Sequence, residues 1–231
     1  MDTASTPTAP STAPAPIAAA RLDPDDPRAV FARAVALGGL VVGGVGADQL
    51  AGPTGCPDLD VRTMLGHLVV VLRRVAAIGR GDDAMAVSAV VEGVSDVGWP
   101  AAWVETAHEV QSAWTDDRAL SRTVHLPWAT FPGSAALALY TGEVTLHTWD
   151  LATATGQRPA WNDQVVAVSL EALRQALPAE GRTAEFERVI RSMPAEAQAT
   201  RVGGPPFAEA IEVPGGASPI DQLVAWSGRR P

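Results

Sequence analysis

Hydrophobic residues recur at helical spacing through most of the chain, in long stretches separated by short runs rich in glycine and proline. The clearest stretch follows Asp60, where the apolar side chains fall on one face of a helix that we expect to end near Gly79. Asp60 is expected to cap this helix, because its side chain can accept hydrogen bonds from free backbone N–H groups. The apolar positions of the face are Val61, Met64, Leu65, Leu68, Val71, Leu72 and Val75.

The same periodicity predicts further helices on both sides of this one. The first begins after Asp26, with Pro27 at the first helical position where its missing N–H costs nothing, and runs to about Leu50. Its glycines weaken it, and close packing against another helix is the expected reason that they are tolerated. The others begin near Pro100, extend from about Ser134 to Ala154, and cover residues 163 to 177 and 182 to 192.

Two segments interrupt or follow this helical pattern. Residues 122 to 133 are rich in β-branched and aromatic side chains and contain two prolines, which predicts an irregular or hairpin connection. The last residues form a Gly/Pro-rich return that ends in an apolar patch. The predicted fold is therefore an all-α helical bundle with extra short helices and irregular connections. The patch contains Ile220, Leu223, Val224 and Trp226.

The first 24 residues differ in composition from the rest. They consist mainly of alanine, proline, threonine and serine, so ordering them would cost backbone entropy without compensating burial. We predict a disordered tail over residues 1 to 24 and one helical domain over residues 25 to 231.

The charged residues narrow the range of functions. The 231 residues include 17 basic and 26 acidic side chains, for a formal net charge of −9, which argues against nucleic acid as a partner. No lysine occurs, so Schiff-base chemistry and the lysine-dependent phosphate loop are excluded. The single cysteine, Cys56, cannot form an intramolecular disulfide or a Cys-rich zinc site.

The chain shows no signal peptide, and its longest apolar stretch after the tail is interrupted by glycines and is much shorter than the ~20 residues of a membrane span. We therefore expect no membrane association. Together with the single cysteine, this predicts a cytoplasmic protein.

The helix predicted from about Ser134 to Ala154 carries the candidate chemistry. Glu143 and His147 are four residues apart, so their side chains leave one face of the helix and can either bind one metal ion or form a surface hydrogen bond. Asp150 follows on the same stripe, where its carboxylate can hold the second nitrogen of the His147 ring.

A second histidine, His67, lies among apolar residues of the helix after Asp60 and is expected to point inward. It is either a hydrogen-bonded core histidine or a third ligand. Together with Glu143 and His147 it would complete a set of two histidines and one glutamate, which is known from catalytic zinc sites with an open coordination position.

Two further side chains are candidates for a catalytic role. Arg74 follows His67 by seven residues and can meet a substrate carboxylate, or it is a solvated arginine near the end of its helix. Tyr140, the only tyrosine, precedes Glu143 by three residues and can donate a proton near the metal, or it serves packing. His108 and His125 do not align with this stripe and are not expected to be ligands.

Three segments carry a family resemblance. They are CPDLDVRTMLGHL at 56 to 68, LPWATFPGSAALALYTGEVTLHTWDLATATG at 126 to 156, and SPIDQLVAWSGRRP at 218 to 231. With these segments the chain resembles the actinobacterial DinB-like four-helix bundles related to mycothiol-dependent maleylpyruvate isomerase. The resemblance implies a divalent metal, zinc or else nickel, held by His67, Glu143 and His147.

The resemblance also implies a function. Mycothiol would be the co-substrate, and the metal would activate this small-molecule thiol toward an electrophilic small molecule, in an enzyme of the S-transferase or isomerase type. The alternatives are a metal-binding bundle without catalysis, and a metal-dependent hydrolase or biosynthetic tailoring enzyme. We expect a monomer or a homodimer.

Overall fold

The computed structural model describes residues 22–56, 59–127, 129–192 and 207–231, and most of them are helical, so the mainly-α fold predicted from the sequence is confirmed. Two short 3-10 helices, Ala47–Gln49 and Ala84–Ala86, lie between α-helices. The helices are α1 (Pro27–Gly43), α2 (Val61–Arg80), α3 (Trp99–Ala113), α4 (Arg118–Ser121), α5 (Gly133–Ala154), α6 (Asp163–Ala176), α7 (Arg182–Ser192) and α8 (Pro219–Trp226).

The connection between α4 and α5 is a β-hairpin, which is one of the two forms that the sequence predicts for it. Strand β1 (Thr123–Leu126) pairs antiparallel with strand β2 (Ala129–Pro132), and Val124 lies opposite Phe131. Val124 and Leu126 are buried, whereas the alternate residues of β1 are exposed. The hairpin therefore covers the core with one face.

Four helices surround the main core. α1 packs on α3 and α5, and α2 also packs on α3 and α5, so each of the four contacts two of the others. A second, smaller apolar cluster lies on another side of α5, where α6 and α8 pack together. Because α5 contributes to both clusters, it is buried on nearly all sides, as expected for a helix that is apolar around its circumference.

α1 begins as predicted but ends early. Asp26 caps it by accepting a hydrogen bond from the Arg28 backbone N–H at 2.8 Å. The prediction that this helix runs to about Leu50 is wrong, because it ends at Gly43 and the chain turns at Gly44 before the 3-10 helix Ala47–Gln49. Glycine lowers helix stability through its backbone entropy, and several glycines lie close together at this point.

The boundaries of α2 agree with the sequence to within one residue. The Asp60 side chain accepts the backbone N–H of Thr63 at 2.8 Å, and α2 ends at Arg80. Gly81 follows with φ of 87°, the left-handed conformation that closes helices and that glycine adopts without strain. These caps fix both ends of the helix that carries His67.

Close packing explains one of the glycines of α1, as the sequence predicts. The indole ring of Trp103 on α3 lies directly over Gly38, where a Cβ atom would be only 2.7 Å from the ring carbon Cζ2. The Trp103 Nε1–H donates to the Val35 carbonyl at 3.2 Å. α1 and α3 can approach this closely only because position 38 has no side chain.

The predicted tail falls mostly on residues 1–21, which lie outside the described residues. The carbonyl of Pro24 accepts hydrogen bonds from Arg33 at 2.7 Å and from Gln164 at 3.3 Å. Residue 24 therefore contacts α1 and α6, and the folded part of the chain begins slightly before the predicted boundary at residue 25.

The apolar patch predicted near the end of the chain lies on α8, which begins after the capping residue Ser218. Within the described ranges, no helix is both long enough and apolar enough to cross a bilayer.

Candidate metal centre

Three side chains predicted as metal ligands lie together between α2 and α5. His67 belongs to α2, and Glu143 and His147 lie one turn apart on α5. Each of the three can offer one ligand atom such that these atoms all lie within 4.8 Å of one another. The packing of α2 against α5 thus joins residues that are far apart in the sequence.

His67 and Glu143 are close without forming a regular hydrogen bond. His67 Nε2 lies 3.3 Å from Glu143 Oε1, yet Nε2 is buried and has no hydrogen-bond partner of acceptable geometry among the described residues. The rings of His67 and His147 stand edge to face, with centroids 4.7 Å apart. A buried ring nitrogen without a partner is unfavourable unless another group, such as a metal ion, binds it.

The separation of these two atoms suits a zinc ion. Zinc binds histidine nitrogen and carboxylate oxygen at about 2.0–2.2 Å, so two ligands of a tetrahedral ion lie about 3.3 Å apart. The distance between His67 Nε2 and Glu143 Oε1 has this value. The donor set of two imidazoles and one carboxylate also leaves one coordination position of a tetrahedral ion open.

The charge state of Glu143 is set by its neighbours. Burial acts to raise the pKa of this carboxyl group, but the neighbouring imidazoles of His67 and His147 and the positive charge of Arg74 outweigh burial and hold the pKa below its usual range. Glu143 is therefore ionised near neutral pH, which is the form that binds metals.

His147 is oriented by Asp150. The Nδ1 atom of His147 lies 2.9 Å from Asp150 Oδ2, and the Asp150 carboxylate is fully buried. An ionised carboxylate only accepts hydrogen bonds, so Nδ1 carries the proton and the lone pair of Nε2 remains free for a metal. Burial lowers the pKa of His147 despite the opposing hydrogen bond to Asp150, and this keeps the ring neutral.

Asp150 is itself held by Arg229, a residue to which the sequence analysis assigned no role. The Arg229 Nε–H donates to Asp150 Oδ1 at 2.7 Å, and Arg229 Nη1 lies 3.1 Å from Ser227 Oγ. Burial acts to raise the pKa of Asp150, but His147 and Arg229 outweigh it and hold the pKa below its usual range. No periodicity or spacing in the sequence links an arginine after α8 to a site on α5, which is why sequence reasoning missed it.

The site lies partly exposed at the protein surface. The side chains of His67 and Glu143 are 29% and 30% exposed, whereas that of His147 is 12% exposed. His147 and Asp150 thus lie on the inner side of the site, and the other two candidate ligands lie nearer the surface. The prediction that His67 points inward is only partly right, because the residue is half-buried.

The two candidate catalytic residues lie next to the ligands. Tyr140 is buried on α5, and burial together with the negative charge of Glu143 raises the pKa of its phenol, so Tyr140 keeps its proton near neutral pH. Arg74 is half-buried on α2, and its charge acts on both Glu143 and Tyr140.

The other two histidines lie elsewhere. His108 is exposed on α3, and His125 is exposed on β1, where its Nδ1 contacts Thr130 Oγ1 at 3.1 Å. Neither belongs to a group that could hold a metal within the part of the chain that the structure describes.

Comparisons with known proteins give two relatives. The chain is 28% identical over 204 residues to Uncharacterized protein MT0763 and, equally, to Uncharacterized protein Rv0738, from two strains of Mycobacterium tuberculosis. Each match covers 88% of this chain and 98% of the relative. No protein-family model and no solved structure matches the chain. The chain is therefore similar along most of its length to nearly the whole of these mycobacterial proteins.

Proposed function

We propose that this protein is a metal-dependent enzyme of the mycothiol-using S-transferase or isomerase type, built on a DinB-like four-helix bundle of α1, α2, α3 and α5. The observation that carries the proposal is the convergence of His67, Glu143 and His147, with the buried Nε2 atom of His67 lying 3.3 Å from Glu143 Oε1. Zinc suits this donor set best, and nickel is the second choice.

The proposal assigns a separate role to each residue of the site. His67, Glu143 and His147 hold the ion, and Asp150 fixes the ring of His147. The ion would stabilise the thiolate form of a small-molecule thiol near neutral pH. The thiolate sulfur would bond to an electrophilic carbon of the second substrate, and the electron pair of the bond broken at that carbon would move to the adjacent atom or to the leaving group. Tyr140, whose raised pKa keeps the phenol neutral, can donate a hydrogen bond to the atom that gains this electron pair.

The proposal also specifies the binding partners, the cellular compartment and the oligomeric state. The partners are mycothiol and an electrophilic small molecule, the protein acts in the cytoplasm, and it is a monomer or a homodimer. The negative net charge and the absence of lysine support small-molecule chemistry over nucleic-acid binding.

Metal analysis tests the first half of the proposal. The protein is expected to retain about one zinc or nickel ion per chain after dialysis, and His67→Ala is expected to lose it. His108→Ala is the matched control, since His108 is an exposed histidine outside the site. A His67→Ala protein with full metal content would refute the ligand assignment.

A titration with mycothiol tests the second half. We expect mycothiol to bind the zinc-loaded protein and not the metal-free protein, as measured by calorimetry. Binding that is equal in both forms, or absent in both, would refute thiol activation. If the zinc-loaded protein does not bind mycothiol, the alternatives are a metal-binding protein without catalysis or a metal-dependent hydrolase.

A further inference from the structure

Arg74 lies beside the candidate metal ligands but forms no direct ion pair with any carboxylate of the described residues. Its Nε atom is buried without a hydrogen-bond partner among these residues. A buried donor without an acceptor destabilises a fold, so its presence in a native protein calls for an explanation.

Other arginines of comparable burial have partners. Arg28 forms an ion pair with Asp26 at 2.7 Å, and Arg229 forms one with Asp150 at 2.7 Å. The missing partner of Arg74 matters because of its position on α2, nearly two turns after His67 and beside the candidate ligands.

The position of Arg74 places its charge at the candidate site. Arg74 follows His67 by seven residues, or nearly two turns, on the same face of α2. Its positive charge contributes to lowering the pKa of Glu143 and opposes the rise in the pKa of Tyr140, so the guanidinium group lies near both. His67 contacts Glu143 and His147, which follow Tyr140 on α5, whereas Arg74 follows His67 on α2. The two helices therefore run in opposite directions.

One strip between α2 and α5 thus carries two kinds of binding group. The three candidate ligands lie toward one end, and Arg74 with Tyr140 lies toward the other. His67 and Glu143 are partly exposed and Arg74 is half-buried, so both ends of this strip lie near the surface.

We propose that Arg74 binds a carboxylate of the small molecule whose other end reaches the metal position. This inference rests on the proposed metal function and specifies its substrate class, namely a compound with a metal-binding head, such as a thiol, and a carboxylate a few bonds away. Guanidinium matches a carboxylate with two parallel hydrogen bonds. A single guanidinium next to the carboxylate of Glu143 fits one negative charge better than the nearly two charges of a phosphate.

The test uses the full chain loaded with cobalt, because thiolate binding to this ion gives an absorption band in the near ultraviolet. Three pairs of thiols are titrated, and each pair consists of an acid and an alcohol with the same number of carbon atoms. The pairs are mercaptoacetate with 2-mercaptoethanol, 3-mercaptopropionate with 3-mercaptopropanol, and 4-mercaptobutyrate with 4-mercaptobutanol. The measured quantity is the ratio of the two dissociation constants within each pair. We expect at least one length at which the parent protein prefers the acid by about tenfold or more.

Arg74→Gln is expected to reduce this preference at least tenfold, because it keeps most of the side chain and removes its charge. Arg73→Gln, the neighbouring half-buried arginine on α2, is the control and should keep the preference. A parent protein without a preference at any length, or the same preference in Arg74→Gln, would overturn the proposal. An Arg74→Gln protein that no longer takes up cobalt would also overturn it, since Arg74 would then serve the ligands themselves.

A second pair of probes separates this proposal from the thiol chemistry. Acetohydroxamate and the monohydroxamate of succinate both bind metals through oxygen, and only the second carries a carboxylate. If no thiol binds any of the cobalt-loaded proteins, the proposed thiol activation is refuted, and the hydroxamate ratio in the parent and in Arg74→Gln decides the role of Arg74. A chain that takes up no cobalt refutes both proposals.

Discussion

Arg229 donates a hydrogen bond from Nε to Oδ1 of Asp150 at 2.7 Å, and the two side chains are 10% and 0% exposed. The other oxygen of Asp150 contacts His147. The carboxylate therefore needs partners on both sides to remain buried and ionised, and the orientation of a candidate metal ligand depends on an arginine beyond the last helix.

Removing this arginine should affect both stability and metal binding. Arg229→Ala leaves the buried carboxylate of Asp150 with one partner fewer, so we expect the free energy of unfolding of the metal-free protein to fall by about 3 kcal/mol. Zinc affinity should fall about 10-fold to 100-fold, because His147 is then less well oriented. Arg230→Ala, at an exposed position, is the control and should change neither quantity. Chemical denaturation and competition with a zinc chelator measure the two effects, and equal behaviour of the two variants would contradict this role of Arg229.

Glu143→Gln and Asp150→Asn should separate a ligand from a residue that positions a ligand. A neutral amide oxygen is a much poorer zinc ligand than a carboxylate, so Glu143→Gln should lower zinc affinity more than 100-fold, whereas Asp150→Asn should lower it about 10-fold to 100-fold. Stability of the metal-free protein should show the opposite order, because only Asp150 is fully buried and paired with Arg229. Circular dichroism must first show that both variants are folded. Negligible effects of both on zinc affinity would mean that this face of α5 binds no metal.

The contact between Gly38 and Trp103 predicts opposite effects for two glycines of α1. Gly38→Ala places a methyl group against the indole ring and should destabilise the protein by about 1–3 kcal/mol. Gly43→Ala introduces a Cβ atom with no other atom within 4 Å and should be neutral or stabilise by up to about 1 kcal/mol. Thermal unfolding of the two variants measures the difference. A Gly38→Ala protein as stable as the parent would show that the ring moves aside at little cost.

The cap of α1 predicts a dependence of stability on pH. The hydrogen bonds to Arg28 hold the pKa of Asp26 below its usual range, although partial burial opposes them. A carboxyl group whose pKa is lower in the folded state contributes stability above its unfolded value of about 3.9, and this contribution is lost as the pH falls through the folded value. We expect Asp26→Asn to lose about 1–2 kcal/mol at pH 7, and this difference from the parent should shrink as the pH falls through the lowered pKa of Asp26.

Asp117→Asn is the control for this prediction. Asp117 pairs with the same arginine at 2.7 Å, but its side chain is 86% exposed, so its loss should cost less than about 0.5 kcal/mol at any pH. Denaturant titrations of the parent and both variants at several pH values provide the comparison. A difference between parent and Asp26→Asn that persists at low pH would mean that the charge of Asp26 does not stabilise the cap.

The sequence predicted those features of the fold that depend on residues close together in the chain. The caps at Asp26 and Asp60 and the ends of α2 and α5 follow from side chains within a few positions, and the structure agrees with them. The end of α1 was missed because apolar residues continue past Gly43 at a spacing that a helix also permits.

The site depends on contacts between distant segments, which local patterns do not contain. The spacing of Glu143 and His147 indicated a pair on one face, and the residue types suggested His67 as a third ligand, but the sequence also allowed a hydrogen-bonded core histidine until the family resemblance favoured a ligand. Arg229 could not be assigned from its surroundings, because its partner Asp150 lies 79 positions away. Such a pairing becomes visible only when the helices are packed.

The distance along the chain between Asp150 and Arg229 has a consequence for how the protein folds. Contacts between remote residues close large loops, and their entropic cost delays them until the rest of the structure can offset it. Helices can form while these loops are still open, so a collapsed intermediate can have nearly all of its helix content and still lack an oriented His147. Stopped-flow refolding followed by cobalt absorption would therefore report the completion of tertiary structure, later than circular dichroism reports the helices.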